Sequence, residues 1–315
     1  MRRRAVGFSA AKTLAAACGI WWLFLHPAVA VAAKGLVLTG QSMPSPALGR
    51  PIPYTAYLPE GARRAQRSSA PSVSARRWPV LYLLHGHGDN ETAWLKLGRI
   101  AATLDRLIEG KQLKPLIVIM PMAGNSWYVD DARDQGFGPI FTALTHDMID
   151  GVDGQYPTLK CRAGRAIGGL SMGGFGAALA GVTHPGRYRA VLSLSGSLFD
   201  PLRHEYYKRH RILARIYGGV FGEPISYERY RAWNVFTRLS TIPPSVPLPS
   251  FWLSSGDADF PSILRGTVRL HLRLGARNAD TELRVTDDGH DWRNWRRAIV
   301  PALTWLDARL AASCR

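Results

Sequence analysis

Residues 168–174 read Gly-Gly-Leu-Ser-Met-Gly-Gly, which sets Ser171 at the centre of a Gly-x-Ser-x-Gly pattern. The pattern constrains the backbone first. A serine lifted onto a sharp strand-to-helix turn needs neighbours without side chains two residues away on either side. Gly169 and Gly173 stand at those positions. Such a turn drives the serine toward strained angles and raises its hydroxyl above the sheet. A hydroxyl is a weak nucleophile until a base and an oxyanion site lie beside it.

The flanks supply the strand and the helix that the turn requires. Residues 165–170 read as a strand, and 173–182, rich in Ala and Gly, as a helix. The same alternation runs along the chain. Short apolar runs predict strands at 53–58, 80–84, 116–120, 190–195, 251–255 and 282–286. Helical spacing covers 100–108, 140–152, 263–274 and 292–312. Strands alternating with helices imply an α/β fold, a mostly parallel sheet with helices on both faces. Residues 31–50 are expected to be irregular. Residues 60–77, rich in Arg, Ser and Ala without an apolar period, are expected to form a flexible surface loop. Residues 199–248 are aromatic, basic and broken at Pro243-Pro244, and read as an insertion with two helical segments beside the serine.

In a sheet of this order the base comes last, after the final strand. His290 fits, following 282–286 and the turn Asp287-Asp288-Gly289. An imidazole side chain ordinarily has a pKa near neutral, which suits a general base. An acid to orient it belongs after strand 251–255, where Asp257 and Asp259 both stand. Chain order does not choose between them, and the other would cap the helix that follows. The Met172 N–H lies at a helix N-terminus, where unpaired donors favour an oxyanion. A second donor is expected near His87, in the loop His85-Gly86-His87-Gly88. His85 and His87 have no carboxylate or cysteine partners at metal-binding spacing, so no metal is expected, and the chemistry needs no organic cofactor. Trp127, Tyr128 and Trp292 are candidates for a sugar or aromatic platform.

These segments carry a resemblance. Tyr57-Leu58-Pro59, Pro79 to Gly86, Met120-Pro121, Asn125 to Asp130, Gly169 to Gly176, His184-Pro185, Leu194-Ser195-Gly196, Gly256 to Phe260 and Gly289-His290-Asp291-Trp292 stand in the right order. Over residues 45–310 the chain resembles the esterase D-like family of α/β-hydrolases. That family takes in S-formylglutathione hydrolases, feruloyl and acetylxylan esterases, short-chain carboxylesterases and secreted mycolyltransferases. The resemblance implies an α/β-hydrolase fold and acyl transfer through a serine. It also implies Asp259 as the acid, because the Gly-x-x-Asp-Phe segment carries it in the family. Met122 departs from the acidic residue that many members have there.

The N-terminus reads as a leader. Arg2, Arg3, Arg4 and Lys12 precede an apolar stretch at 14–25, and Ala28-Val29-Ala30 offers a cleavage site. The apolar stretch is short for a membrane span of about 20 residues. Residues 1–30 are therefore expected to be a cleaved signal peptide, and 51–315 a single exported catalytic domain. Export permits a disulfide between Cys161 and Cys314, which would tie the C-terminal tail to the segment before the serine's strand. The four basic leader residues account for part of the formal charge of +17, and the chain after residue 30 carries +13. That charge suits anionic surfaces. No nucleic-acid module is recognisable. The expected function is a secreted serine carboxylesterase acting on an ester, glycan- or aromatic-linked. Two alternatives are a secreted acyltransferase of the mycolyltransferase type and a catalytically silent, basic surface-binding protein.

Overall fold

The apolar runs assemble as one eight-stranded sheet in the order β1-β2-β4-β3-β5-β6-β7-β8. Its strands are β1 (Leu36–Met43), β2 (Ile52–Leu58), β3 (Val80–Leu84), β4 (Ile117–Pro121), β5 (Arg165–Leu170), β6 (Ala190–Leu194), β7 (Ser250–Gly256) and β8 (Thr281–Thr286). The computed structural model describes residues 35–67, 76–131, 133, 136–199, 216–217, 219–222 and 224–314. The expected leader at 1–30, residues 68–75 of the 60–77 segment and the arginines 203, 209, 211 and 215 of the insertion lie outside them.

From β3 onward, neighbouring strands across β4, β5, β6, β7 and β8 are parallel, and β1 and β2 add an antiparallel edge. The strands β3 to β7 are buried along their whole length, as parallel strands covered on both faces must be. One face packs the helices Ile100–Glu109 and Trp292–Asp307 around Leu104, Trp94, Ile299 and Leu303. The other packs Met148–Gln155, Met172–Thr183 and Pro261–Gly275 around Ile119, Ile167, Leu179 and Leu270. The insertion contributes the helices Tyr227–Ala232 and Val235–Thr241.

Three segments differ from the sequence expectation. Residues 36–43 are not irregular: they form β1, paired antiparallel with β2, so the folded unit begins before residue 51. Gly40, at φ +64, falls where the register shifts between Leu38 and Gln41. That bulge breaks the alternation by which an edge strand is recognised. Residues 60–67 are not a loop but the helix Glu60–Arg67. Glu, Ala, Gln and Arg are good helix formers without any apolar period. The anchor is small: Ala62 is buried, and Gly61 lies under the Trp78 ring, where a Cβ would come within 2.8 Å. Finally, the helix expected over 140–152 is interrupted by a π-helical turn at Ala143–Asp147 and runs on to Gln155.

Candidate active site

Ser171 stands between β5 and the helix Met172–Thr183 with φ 52 and ψ −116. Positive φ at a residue with a Cβ costs on the order of 1–3 kcal/mol and needs surroundings that impose it. Here they are backbone. The Ser171 N–H donates to Leu194 O at 2.9 Å, and its carbonyl accepts from Ser197 N and Phe175 N. The flanking glycines are forced by packing. A Cβ on Gly169 would lie 2.5 Å from the Gly173 backbone, and one on Gly173 would lie 2.6 Å from the carbonyl oxygens of Leu84 and His85. The elbow thus sits directly on the end of β3.

His290 follows β8, and its Nε2 lies 3.0 Å from Ser171 Oγ. Its Nδ1 lies 2.8 Å from Asp259 Oδ1. Asp259 is buried and also accepts from the Phe260 N–H and the Ser255 hydroxyl. Burial raises its carboxyl pKa, but the hydrogen bonds, led by that from His290, outweigh it and hold the group below the ordinary carboxylate range. An ionised Asp259 accepts only, so the imidazole donates through Nδ1 and leaves Nε2 as acceptor for the serine hydroxyl. Asp257 is exposed and does not cap the next helix, whose N-cap is Phe260.

The loop after β3 lies against this group. His85 is 1% exposed. Its Nδ1 donates to Gly86 O at 2.7 Å, and its Nε2 accepts from the Ala123 N–H at 3.1 Å. Its carbonyl accepts from the Tyr128 hydroxyl at 3.0 Å. Burial pushes its pKa down to about 4 against the opposing pull of the Gly86 carbonyl. His85 is therefore a neutral strut, with both ring nitrogens engaged. The loop is pinned further by Gly88 N–H donating to Asn125 Oδ1 at 2.7 Å. His87 is exposed, and its ring lies 6.1 Å from that of Trp127. Met172 opens its helix, where the first N–H groups have no intrahelical acceptor.

Two of the three aromatic candidates do not form a platform. Trp127 and Tyr128 are 4% and 2% exposed, and a ring shut in on both faces offers none to a ligand. Trp127 packs among Tyr217 and Phe175 and donates to Ile216 O. Trp292 is half-buried and packs edge-on against Trp94 and Trp295. The ring that does face outward beside the imidazole was missed: Phe260 is 60% exposed with its centroid 5.1 Å from that of His290. Its only sequence signal is its place directly after Asp259. Also missed was Asn294, whose amide donates to Gly289 O at 2.8 Å and steadies the His290 turn.

Comparison with known proteins agrees with this architecture. The profile of the family described as "Putative esterase" matches residues 45–306. An acetyl esterase of Caldicellulosiruptor saccharolyticus is 26% identical over 242 residues, 74% of this chain and 85% of that protein. An endo-1,4-beta-xylanase/feruloyl esterase of Xylanibacter ruminicola is 33% identical over 153 residues, 46% of this chain but 19% of that longer protein. Among solved structures, a ferulic acid esterase superposes with a TM-score of 0.70 at 22% identity, covering 88% of this chain and 99% of the other.

Proposed function

The chain belongs to this esterase family and is a carboxylic ester hydrolase of the α/β-hydrolase superfamily, and from that premise we propose an exported serine carboxylesterase working through Ser171, His290 and Asp259. The observation that carries the reading is the hydrogen-bonded series Asp259–His290–Ser171, with its 2.8 and 3.0 Å links, at the mouth of the elbow.

In this mechanism Ser171 Oγ attacks the ester carbonyl carbon while its proton passes to His290 Nε2. Asp259 holds the imidazole in the required tautomer and stabilises the imidazolium. The carbonyl oxygen becomes an oxyanion and is taken up by the N–H groups of Met172 and His87, each worth roughly 3 kcal/mol in the transition state. The imidazolium then returns its proton to the departing alkoxide, leaving an acyl-enzyme. Water, deprotonated by His290, attacks that acyl group, and the acid leaves as Ser171 regains its proton.

For the substrate, we read an ester with an aromatic or glycan-linked acyl group. Phe260 supports this, as an exposed ring one side chain away from the imidazole offers an edge or face to an aromatic acyl group. Of the relatives, one is named for feruloyl esters, whose acyl group is aromatic, and another for acetyl esters. Residues 1–30 serve in this reading as a leader cleaved after Ala30.

The test compares wild type and Ser171→Ala on p-nitrophenyl acetate, longer p-nitrophenyl esters and methyl ferulate. The variant should lose more than about 10⁴-fold in kcat while keeping its circular dichroism spectrum. Retained hydrolysis in a folded Ser171→Ala protein sinks the assignment. N-terminal sequencing of the protein recovered outside the cytoplasm checks the leader; a start at Met1 refutes it.

A further inference from the structure

A second concavity lies away from Ser171, between the insertion helices Tyr227–Ala232 and Val235–Thr241 and the helix Pro261–Gly275. It measures about 640 Å³, within the range of roughly 300–1,000 Å³ typical of ligand sites. Four arginines line it: Arg231, Arg269, Arg273 and Arg277. Among the described residues, none of those lining it is acidic. Its floor is apolar, with Phe236, Leu239 and Ile242.

The arginines are arranged rather than scattered. The Arg277 guanidinium bridges the gap, donating to Leu239 O and Pro243 O at 2.9 Å each. Two carbonyl dipoles hold its fork in place without neutralising it. Arg269 lies 5.8 Å over the Phe236 ring, where a cation stacks on the aromatic face. Arg231 and Arg273 are exposed, and neither forms an ion pair among the described residues. Along Pro261–Gly275 the outward residues Arg265, Arg269 and Arg273 recur at four-residue spacing, so they share one face. That face begins beside Phe260, at the site mouth, and ends in the concavity. The helix spans about 22 Å at 1.5 Å per residue.

We propose that this groove binds a carboxylate-bearing polysaccharide strand, held by Arg231, Arg269, Arg273 and Arg277 over the Phe236 floor. Arginine forks match carboxylates bidentately, and aromatic and aliphatic floors accept the apolar faces of sugar rings. A membrane surface fits less well. An interfacial helix presents a row of large apolar residues, whereas the outward face of this helix has Leu272 alone near the groove, with Phe260 at the far end. The assignment goes beyond the esterase reading, since the groove neither contains Ser171 nor needs its chemistry.

The test measures binding of de-esterified oligogalacturonate to the wild-type protein, a ligand that offers no ester to cleave. Saturable binding that weakens about tenfold or more in Arg231→Ala/Arg273→Ala, with kcat/KM for p-nitrophenyl acetate unchanged, is the expected result. The matched control is Lys96→Ala/Arg106→Ala, which removes the same charge from an exposed surface elsewhere and should leave binding intact. An equal loss in the control reduces the effect to net charge and overturns the proposal. So does equal binding of a neutral oligosaccharide, or an unchanged affinity in the groove variant. Groove-dependent binding of anionic phospholipid vesicles without oligogalacturonate binding overturns it in favour of a lipid surface. The outcome is independent of whether Ser171→Ala abolishes hydrolysis.

Discussion

At the scale of single residues, His85 and His87 share a loop but have opposite surroundings. His87 is exposed, whereas His85 is sealed and neutral, with its Nε2 taking the Ala123 N–H. This has a consequence for stability. The unfolded chain takes up a proton at His85 near its ordinary value of 6.5, and the native state resists until about 4. Between those values the unfolded state binds more protons, so stability rises with pH there. The contribution is full above about pH 6.5 and is lost as pH falls to about 4, on the order of 3 kcal/mol. His184, also lowered to about 4 by burial with His146, Arg187 and Arg238 nearby, acts in the same direction. Denaturant titrations at pH 4.5 and 7.5 check this: His85→Gln should show a smaller loss on acidification than wild type, and parallel behaviour would exclude His85 as a cause. The positions of Ser171 and His290 were legible because each sits at a strand end that chain order marks, whereas chain order left Asp257 and Asp259 open and only the family resemblance singled out Asp259. The aromatic residues were not legible, because a Trp or Tyr looks the same in sequence whether it packs or is presented. Trp127 and Tyr128 adopt φ of 54 and 53, which tertiary contact imposes and no local pattern announces.

At the scale of elements, the C-terminal helix does more than cover the sheet. Its first turns hold the loop that carries His290. Asp291 caps the helix through the Asn294 N–H, and the Asn294 amide reaches back to Gly289 O. Arg293 and Arg297 both pair with the buried Asp288, and the Trp295 ring meets the imidazole edge-on at 5.0 Å. Asn294→Ala removes the tie to Gly289 while leaving the Asp259–His290 contact available. We expect kcat to fall about tenfold with KM little changed, and stability to fall by about 1 kcal/mol for the half-buried carbonyl left without its donor. Steady-state kinetics on p-nitrophenyl acetate decide it, and an unchanged kcat refutes a positioning role. The elements themselves were readable where burial is complete. Strands β3 and β4 carry unbroken apolar runs, and β5 to β7 shorter ones mixed with Gly and Ser, each bounded by turn residues. The edge strand β1 and the helix Glu60–Arg67 were missed because their order comes from pairing with β2 and from packing under Trp78.

At the scale of the whole molecule, the Cys161–Cys314 disulfide closes a span of 153 residues. The Ala311 N–H donates to Ala163 O beside it, so the tail is fastened at the start of β5. Chain entropy alone assigns such a closure about 5 kcal/mol. Cys161→Ser/Cys314→Ser should therefore lower the melting temperature by about 10 °C or more. Hydrolysis at room temperature should persist, because Ser171 stands at the opposite end of that strand. An unchanged melting temperature would show that the bond adds nothing to the folded state. The fastening also bears on timing. Ser171 precedes its imidazole by 119 residues, and β8, which delivers that imidazole, is the last strand of the sheet. On the proposed mechanism, a growing chain presents Ser171 well before His290 and stays inert toward esters until β8 and the loop after it have docked. On that mechanism, competence waits for the stretch after β8, and that same stretch supplies Cys314, which fastens it to the start of β5.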